Sequence, residues 1–273
     1  MAVQFGATCF FYTPEEFTLV GEVARRFPFL QYVEFRGEHP FLFPGFTDRE
    51  TLRHYREILR QANLRSTLHT TLYDVNLATV NPYLRDAAVT CYREYIDIAA
   101  YLGSEVIVVH GGTLPRDFAQ SSQKEQYRQL AETHLCRSLT ELAEYGQSKG
   151  VVVAVENLPP DRDENIIHDA QSHLRILRKV DHPNLKALYD MAHAYLYGLD
   201  VIDYLEKIRP HLGEIHAHNN LGQEDDHMGL PHGKMDYRPI LKHPAVEGVP
   251  FIMEIRSYQE VMETLHWLQE IYR

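Results

Sequence analysis

Short apolar, β-branched runs recur along the chain as VQFGATC (3–9), YVEF (32–35), STLH (66–69), VIVVH (106–110), VVVAVE (151–156), KALYD (186–190), EIHAH (214–218) and PFIMEI (250–255). Between them the pattern changes to helical periodicity, as in PEEFTLVGEVARRF, TDRETLRHYREILRQA, residues 83–102, QKEQYRQLAETHLCRSLTELAEYGQSKG and DVIDYLEKI, and SYQEVMETLHWLQEIYR follows the last run. Capping boxes are expected at Thr47 with Glu50 and at Ser257 with Glu260. Strands that read as continuous apolar runs are covered on both faces, and their alternation with helices implies a parallel sheet. Eight such units predict an α/β fold, a closed (β/α)8 TIM barrel forming a single domain over residues 1–273. An open doubly wound sheet fits less well, because the first strand-to-helix turn, GATCFFYTPEE, lacks the GxGxxG that cradles a dinucleotide.

In such a barrel, reactive groups collect where strands end and the loops converge. The last residues of strands three to eight are His69, His110, Glu156, Asp190, His216 and Glu254, each of a metal-ligating type. Any one of them alone reads as a solvated carboxylate or a hydrogen-bonded histidine. Six at successive strand ends would repel or stay undersolvated unless cations lay among them. His193 follows Asp190 by three residues, as a strand end running into a helix allows, and Asp225 and His227 sit two apart in DDH. The segment HAHNNLGQEDDHMGLPHG (216–233) would then be a strand end followed by a glycine-rich loop returning over the barrel mouth. Within it, either His216 or His218 could be the strand's ligand, since alternation puts both on one face. His218 and His232 are otherwise candidates for substrate contact or for orienting a ligand.

The composition adds limits. A net charge of −11 disfavours nucleic acid as a partner, while Cys9, Cys91 and Cys136 form no CxxC pair and suit a reducing, cytoplasmic setting. No apolar run approaches the length of a membrane span. Arg36 and Arg256, each just past a strand end, are candidates to bind a small anionic substrate, Asn157 to orient Glu156, and the aromatics of FFYTPEEF, HPFLFPGF and AHAYLYG to wall the mouth.

Taken together, LHTTLYDVNLAT, VVHGG, VENLPP, YDMAHAYLYGLD, IHAHNN, DDHMGLPHG and IMEIRS resemble the xylose isomerase-like TIM barrels, a superfamily that includes endonuclease IV and many sugar isomerases and epimerases. The resemblance implies one metal on Glu156, Asp190, His216 and Glu254 if the chain follows the isomerase branch. Along the endonuclease IV branch it implies two or three zinc ions per chain, with His69, His110, His193, Asp225 and His227 added; Mn, Fe or Co would suit the same donors. The loops here are acidic or apolar where endonuclease IV is basic, and Tyr73 is offset by one place from its substrate-side tyrosine, which argues against DNA repair. The surplus of imidazoles favours a metal-dependent hydrolase of a small phosphoester or phosphodiester, with Glu156 bridging two ions. The alternative is a sugar or sugar-phosphate isomerase or epimerase using one ion, with Glu156 and Glu254 as acid and base. A binding module without turnover ranks third, since both glutamates are intact.

Overall fold

In the computed structural model, residues 3–9, 13, 16–71 and 73–272 are described. The aromatic turn at residues 10–12 and the start of the first expected helix at 14 and 15 lie outside them.

Eight parallel strands close into a barrel: β1 (Gln4–Thr8), β2 (Leu30–Arg36), β3 (Arg65–His69), β4 (Val106–His110), β5 (Val152–Glu156), β6 (Leu185–Asp190), β7 (Leu212–Ala217) and β8 (Pro250–Met253). Each pairs with its neighbours in sequence, and β8 closes on β1 through Gln4 beside Pro250 and Ala7 beside Met253. The chain therefore forms the closed (β/α)8 barrel that its pattern implied.

Alternation along each strand separates two apolar clusters. Outward residues such as Ile107, Val109, Val153, Val155 and Tyr189 pack in the large core that includes the helices. Val106, Val108, Ala154 and Leu188 form a small cluster of their own, with Val152 against it, inside the barrel on β4 to β6. The opposite side of the barrel interior is polar. Thr8, Glu34 and Thr67 stand in register on β1 to β3, and Glu214 and His216 face them from β7, all essentially inaccessible.

Helix boundaries follow capping chemistry, with two corrections. The helix Arg49–Ala62 is capped by Asp48, whose carboxylate accepts from the Thr51 amide at 2.7 Å. Thr47 is instead bound into the preceding loop, its hydroxyl accepting from the Phe43 amide at 2.6 Å. Ser257 does cap Tyr258–Ile271, but Glu260 does not return the bond; its carboxylate accepts from the Gly229 amide at 2.5 Å. The helix Ala170–Val180 between β5 and β6 uses a box of another composition, in which Asp169 and Ser172 each satisfy the other's amide.

Two-residue strands, Thr113–Leu114 and Glu164–Asn165, pair antiparallel and tie the loop after β4 to the loop after β5. Among the described residues, no helix is long and apolar enough to cross a membrane.

Candidate metal centre

The C-terminal ends of the strands surround an open cavity of about 760 Å³, into which His69, His110, Glu156, His193, Asp225, His227 and Glu254 project. His216 and Asp190 lie beneath them, fully buried. One ligand atom each from Glu156, Asp190, His216 and Glu254 falls within 4.8 Å of the others, and the same is true of His69, His110 and Glu156.

Local geometry explains how the imidazoles are aimed. Nδ1–H of His69 donates to the Thr70 carbonyl at 2.7 Å, that of His193 to the Asn157 carbonyl at 2.8 Å, and that of His227 to the Glu254 carbonyl at 2.8 Å. Each bond engages Nδ1 and turns Nε2 toward the neighbouring carboxylates, as the ligand nitrogen once its proton is displaced. Those Nε2 atoms lie 3.7 Å from Glu156 Oε2 for His69, and 3.4 Å and 3.0 Å from Asp225 Oδ2 for His193 and His227. His110 Nε2 is 3.4 Å from Glu156 Oε2. His216 presents Nδ1 instead, 3.3 Å from Glu254 Oε2 and 3.7 Å from Glu156 Oε1.

These separations are mostly long for hydrogen bonds. They match the edges of a coordination polyhedron with metal–ligand bonds of about 2.0–2.2 Å. Glu156 Oε2, His193 Nε2, His216 Nδ1 and Asp225 Oδ1 are buried without a hydrogen-bond partner among the described residues. Buried donors and acceptors are rarely left in that state. The mixed N and O set therefore fits divalent cations.

Protonation tells the same story. Burial works against a charged His69, yet the nearby Glu156 carboxylate and the field of Glu254 outweigh it and push the imidazole up to about 9. His193 and His216 are raised well above their ordinary value and His227 is raised too, in each case against burial, by neighbouring carboxylates. Glu156, Asp225 and Glu254 are held far below the usual carboxylate range, again against burial, by those imidazoles. His110 goes the other way, down to about 4, because burial and the nearby imidazoles outweigh Glu156. Without an ion the carboxylates gather protons onto their neighbours; a divalent cation balances the same charge without them.

The loop from His216 to Gly233 is held by Asn219. Its backbone pairs with Met228 as an isolated bridge, and its side-chain amide donates to the Leu230 and Met235 carbonyls at 2.8 and 2.9 Å. A Cβ at Gly233 would lie 2.2 Å from the Asn219 side-chain oxygen, so only glycine fits. This fold-back carries Asp225 and His227 over the mouth.

The remaining expectations divide. His216 and His218 both enter the cluster, but at different places: His218 Nε2–H donates to Asp190 Oδ2 at 3.1 Å and its ring stacks on His227 at 4.0 Å. Arg36 and Arg256 line the cavity, and Arg36 pairs with Glu38 at 2.9 Å. Tyr73 stands at the rim, 63% exposed. His232 is not among the cavity-lining residues; its Nε2 is 2.7 Å from Glu263 on the last helix. Asn157 does not orient Glu156: its side chain pairs with both the amide and the carbonyl of Asp190, at 2.9 Å each. Sequence reasoning missed the polar layer under the site, Glu34, Thr67 and Glu214. An acid inside the apolar run YVEF was the available signal.

A closed (β/α)8 barrel that gathers acids and imidazoles at its mouth is a TIM barrel with a candidate metal centre. The model of the xylose isomerase-like TIM barrel family matches residues 30–271, and the chain belongs to that family. An uncharacterised protein of Methanocaldococcus jannaschii is 26% identical over 93% of this chain and 84% of its own length. Fructoselysine 3-epimerase of Escherichia coli O157:H7 is 29% identical over a shorter stretch, 40% of this chain and 39% of that protein. Among solved structures, a D-tagatose 3-epimerase-like protein superposes with a TM-score of 0.85 at 21% identity, covering 98% of this chain and 97% of the other. That likeness is one of fold.

Proposed function

We propose that the chain is a metal-dependent isomerase or epimerase acting on a sugar or a sugar derivative. The observation that carries this reading is the pair of buried carboxylates, Glu156 and Glu254, which converge on one side of the His216 ring at 3.7 and 3.3 Å. Glu156, Asp190, His216 and Glu254 would hold one divalent ion. When bound, the ion polarises a substrate carbonyl and its neighbouring hydroxyl. Glu156 and Glu254 would serve as the acid and base, one to take a proton from carbon beside that carbonyl and the other to return one. Arg36 and Arg256 offer guanidinium groups to an anionic substituent, within a cavity larger than a bare hexose requires. The epimerase names carried by a sequence relative and by a similar fold support the same choice.

A second reading, phosphoester hydrolysis by two or three ions, is favoured by one observation. His69 and His110 meet Glu156, and His193 and His227 meet Asp225, at ligand-edge distances that a single ion leaves unused. The discriminating experiment incubates metal-loaded protein with ketoses, including an amine-substituted ketose, in D₂O and follows deuterium entry at carbon by NMR, beside hydrolysis of bis-(p-nitrophenyl) phosphate. Exchange at a carbon adjacent to the carbonyl is the expected result. Phosphodiester turnover without exchange on any ketose would overturn the proposal.

A further inference from the structure

We propose that Glu34 is a positioning residue that sets the tautomer of His216 and so turns its Nδ1 toward the ion. This inference goes beyond the proposed reaction, because it concerns how the cage is aimed whichever chemistry the ion serves.

His216 is the exception among the fixed imidazoles. His69, His193 and His227 are each locked by a backbone carbonyl at Nδ1, leaving Nε2 for the ion. Among the described residues no backbone carbonyl accepts from His216, and its orientation is reversed. Its Nε2 points down the barrel axis, 3.2 Å from Oε1 and 3.3 Å from Oε2 of Glu34, while Nδ1 faces Glu156 and Glu254. A carboxylate accepting from Nε2–H leaves the lone pair on Nδ1, where a ligand needs it, and makes that nitrogen a stronger donor.

Glu34 is built to stay in place. It is fully buried on β2, and Thr67 on the neighbouring strand donates its hydroxyl to Oε2 at 3.1 Å. In the strand order β7, β8, β1, β2, its bond to His216 crosses the barrel interior and skips two intervening strands. Glu214 Oε1 lies 3.7 Å from the same Nε2, close enough to crowd it but beyond hydrogen-bond length. The task therefore falls to Glu34.

The test uses the full-length protein and Mn²⁺ alone, with free Mn²⁺ read by EPR, so that no assumption about substrate enters. Losing an outer partner of a ligating histidine typically weakens metal binding about 10- to 100-fold. Glu34→Leu, folded by circular dichroism, is expected to show that loss, and Glu34→Gln, which keeps an accepting oxygen, to restore most of the affinity. Native affinity in Glu34→Leu, or a Gln variant no better than Leu, overturns the proposal. Should the Leu variant fail to fold, ¹⁵N-histidine correlation spectra of the wild-type protein loaded with Zn²⁺ decide the matter. His216, assigned by its loss in His216→Gln, is expected to carry its proton on Nε2. A proton on Nδ1 of His216 refutes the idea, and either outcome is independent of whether any sugar is turned over.

Discussion

Stripping metal from the protein with a chelator should lower its melting temperature, by an amount the structure bounds. The cage atoms come from strands β3 to β8 and their loops, so the donors are assembled only in the folded chain and an ion bound there stabilises it by mass action. At 100 times its dissociation constant, one ion contributes about 2.7 kcal/mol. With an unfolding entropy of about 2.1 cal/mol/K per residue, 273 residues give about 570 cal/mol/K, and one ion then raises the midpoint by about 5 °C. Three ions would raise it by about 14 °C. The assay is differential scanning fluorimetry of chelator-treated protein titrated with Mn²⁺ or Zn²⁺ at pH 7, beside elemental analysis of the loaded protein. One step near 5 °C with one ion per chain matches the four-ligand site; further steps with two or three ions match the larger set. A midpoint that moves by less than about 1 °C at saturating metal refutes the cage as a metal centre.

The remaining predictions concern other parts of the same site. In the multi-ion reading, an ion taking His69 Nε2 must displace the proton that His69 holds up to about 9 without metal, so the apparent affinity of that site should climb up to tenfold per pH unit as pH rises toward 9 and then level off, as measured by calorimetry. In the metal-free protein the sign reverses: the stability gained from charged His69 is fully present below about 6.5 and is lost as pH rises through 9, so its melting temperature should fall over that window. Gly37→Ala would place a Cβ 2.4 Å from the His69 carbonyl and 2.8 Å from the Tyr95 ring, and should cost about 1–3 kcal/mol in urea unfolding while weakening metal binding beside it. His232→Ala, whose ring meets exposed Glu263 away from the cavity, should leave metal affinity and turnover within about twofold of wild type in equilibrium dialysis and steady-state assays.

Much of this site could be read from sequence because residue type and strand ends coincide. The β-branched runs located β1 to β8, and in a parallel barrel the end of a strand fixes where its side chain points. Other features depended on distances the sequence does not carry. Glu34 and Glu214 look like ordinary strand polar residues until closure of the barrel sets them under His216. Thr47 and Asp48 are both good caps, and only the backbone path decides for Asp48. His232 is close in sequence to His227, yet bonds from Gly229 to Glu260 and from Leu230 to Thr264 tether its segment to the last helix and carry it away from the cavity. Hydrolase and isomerase readings share one ligand vocabulary, so residue types alone ranked them by the surplus of histidines.

The divided barrel interior sets unequal freedom to change. On the β4 to β6 side, Val106, Val108, Ala154 and Leu188 form an apolar cluster with Val152, where volume-conserving exchanges disturb mainly packing. On the other side Thr67, Glu34 and His216 form a chain of hydrogen bonds, and altering any member leaves its neighbour stranded without solvent. Drift and redesign can therefore proceed along one wall of the barrel one residue at a time, whereas the other wall moves only by coordinated replacement.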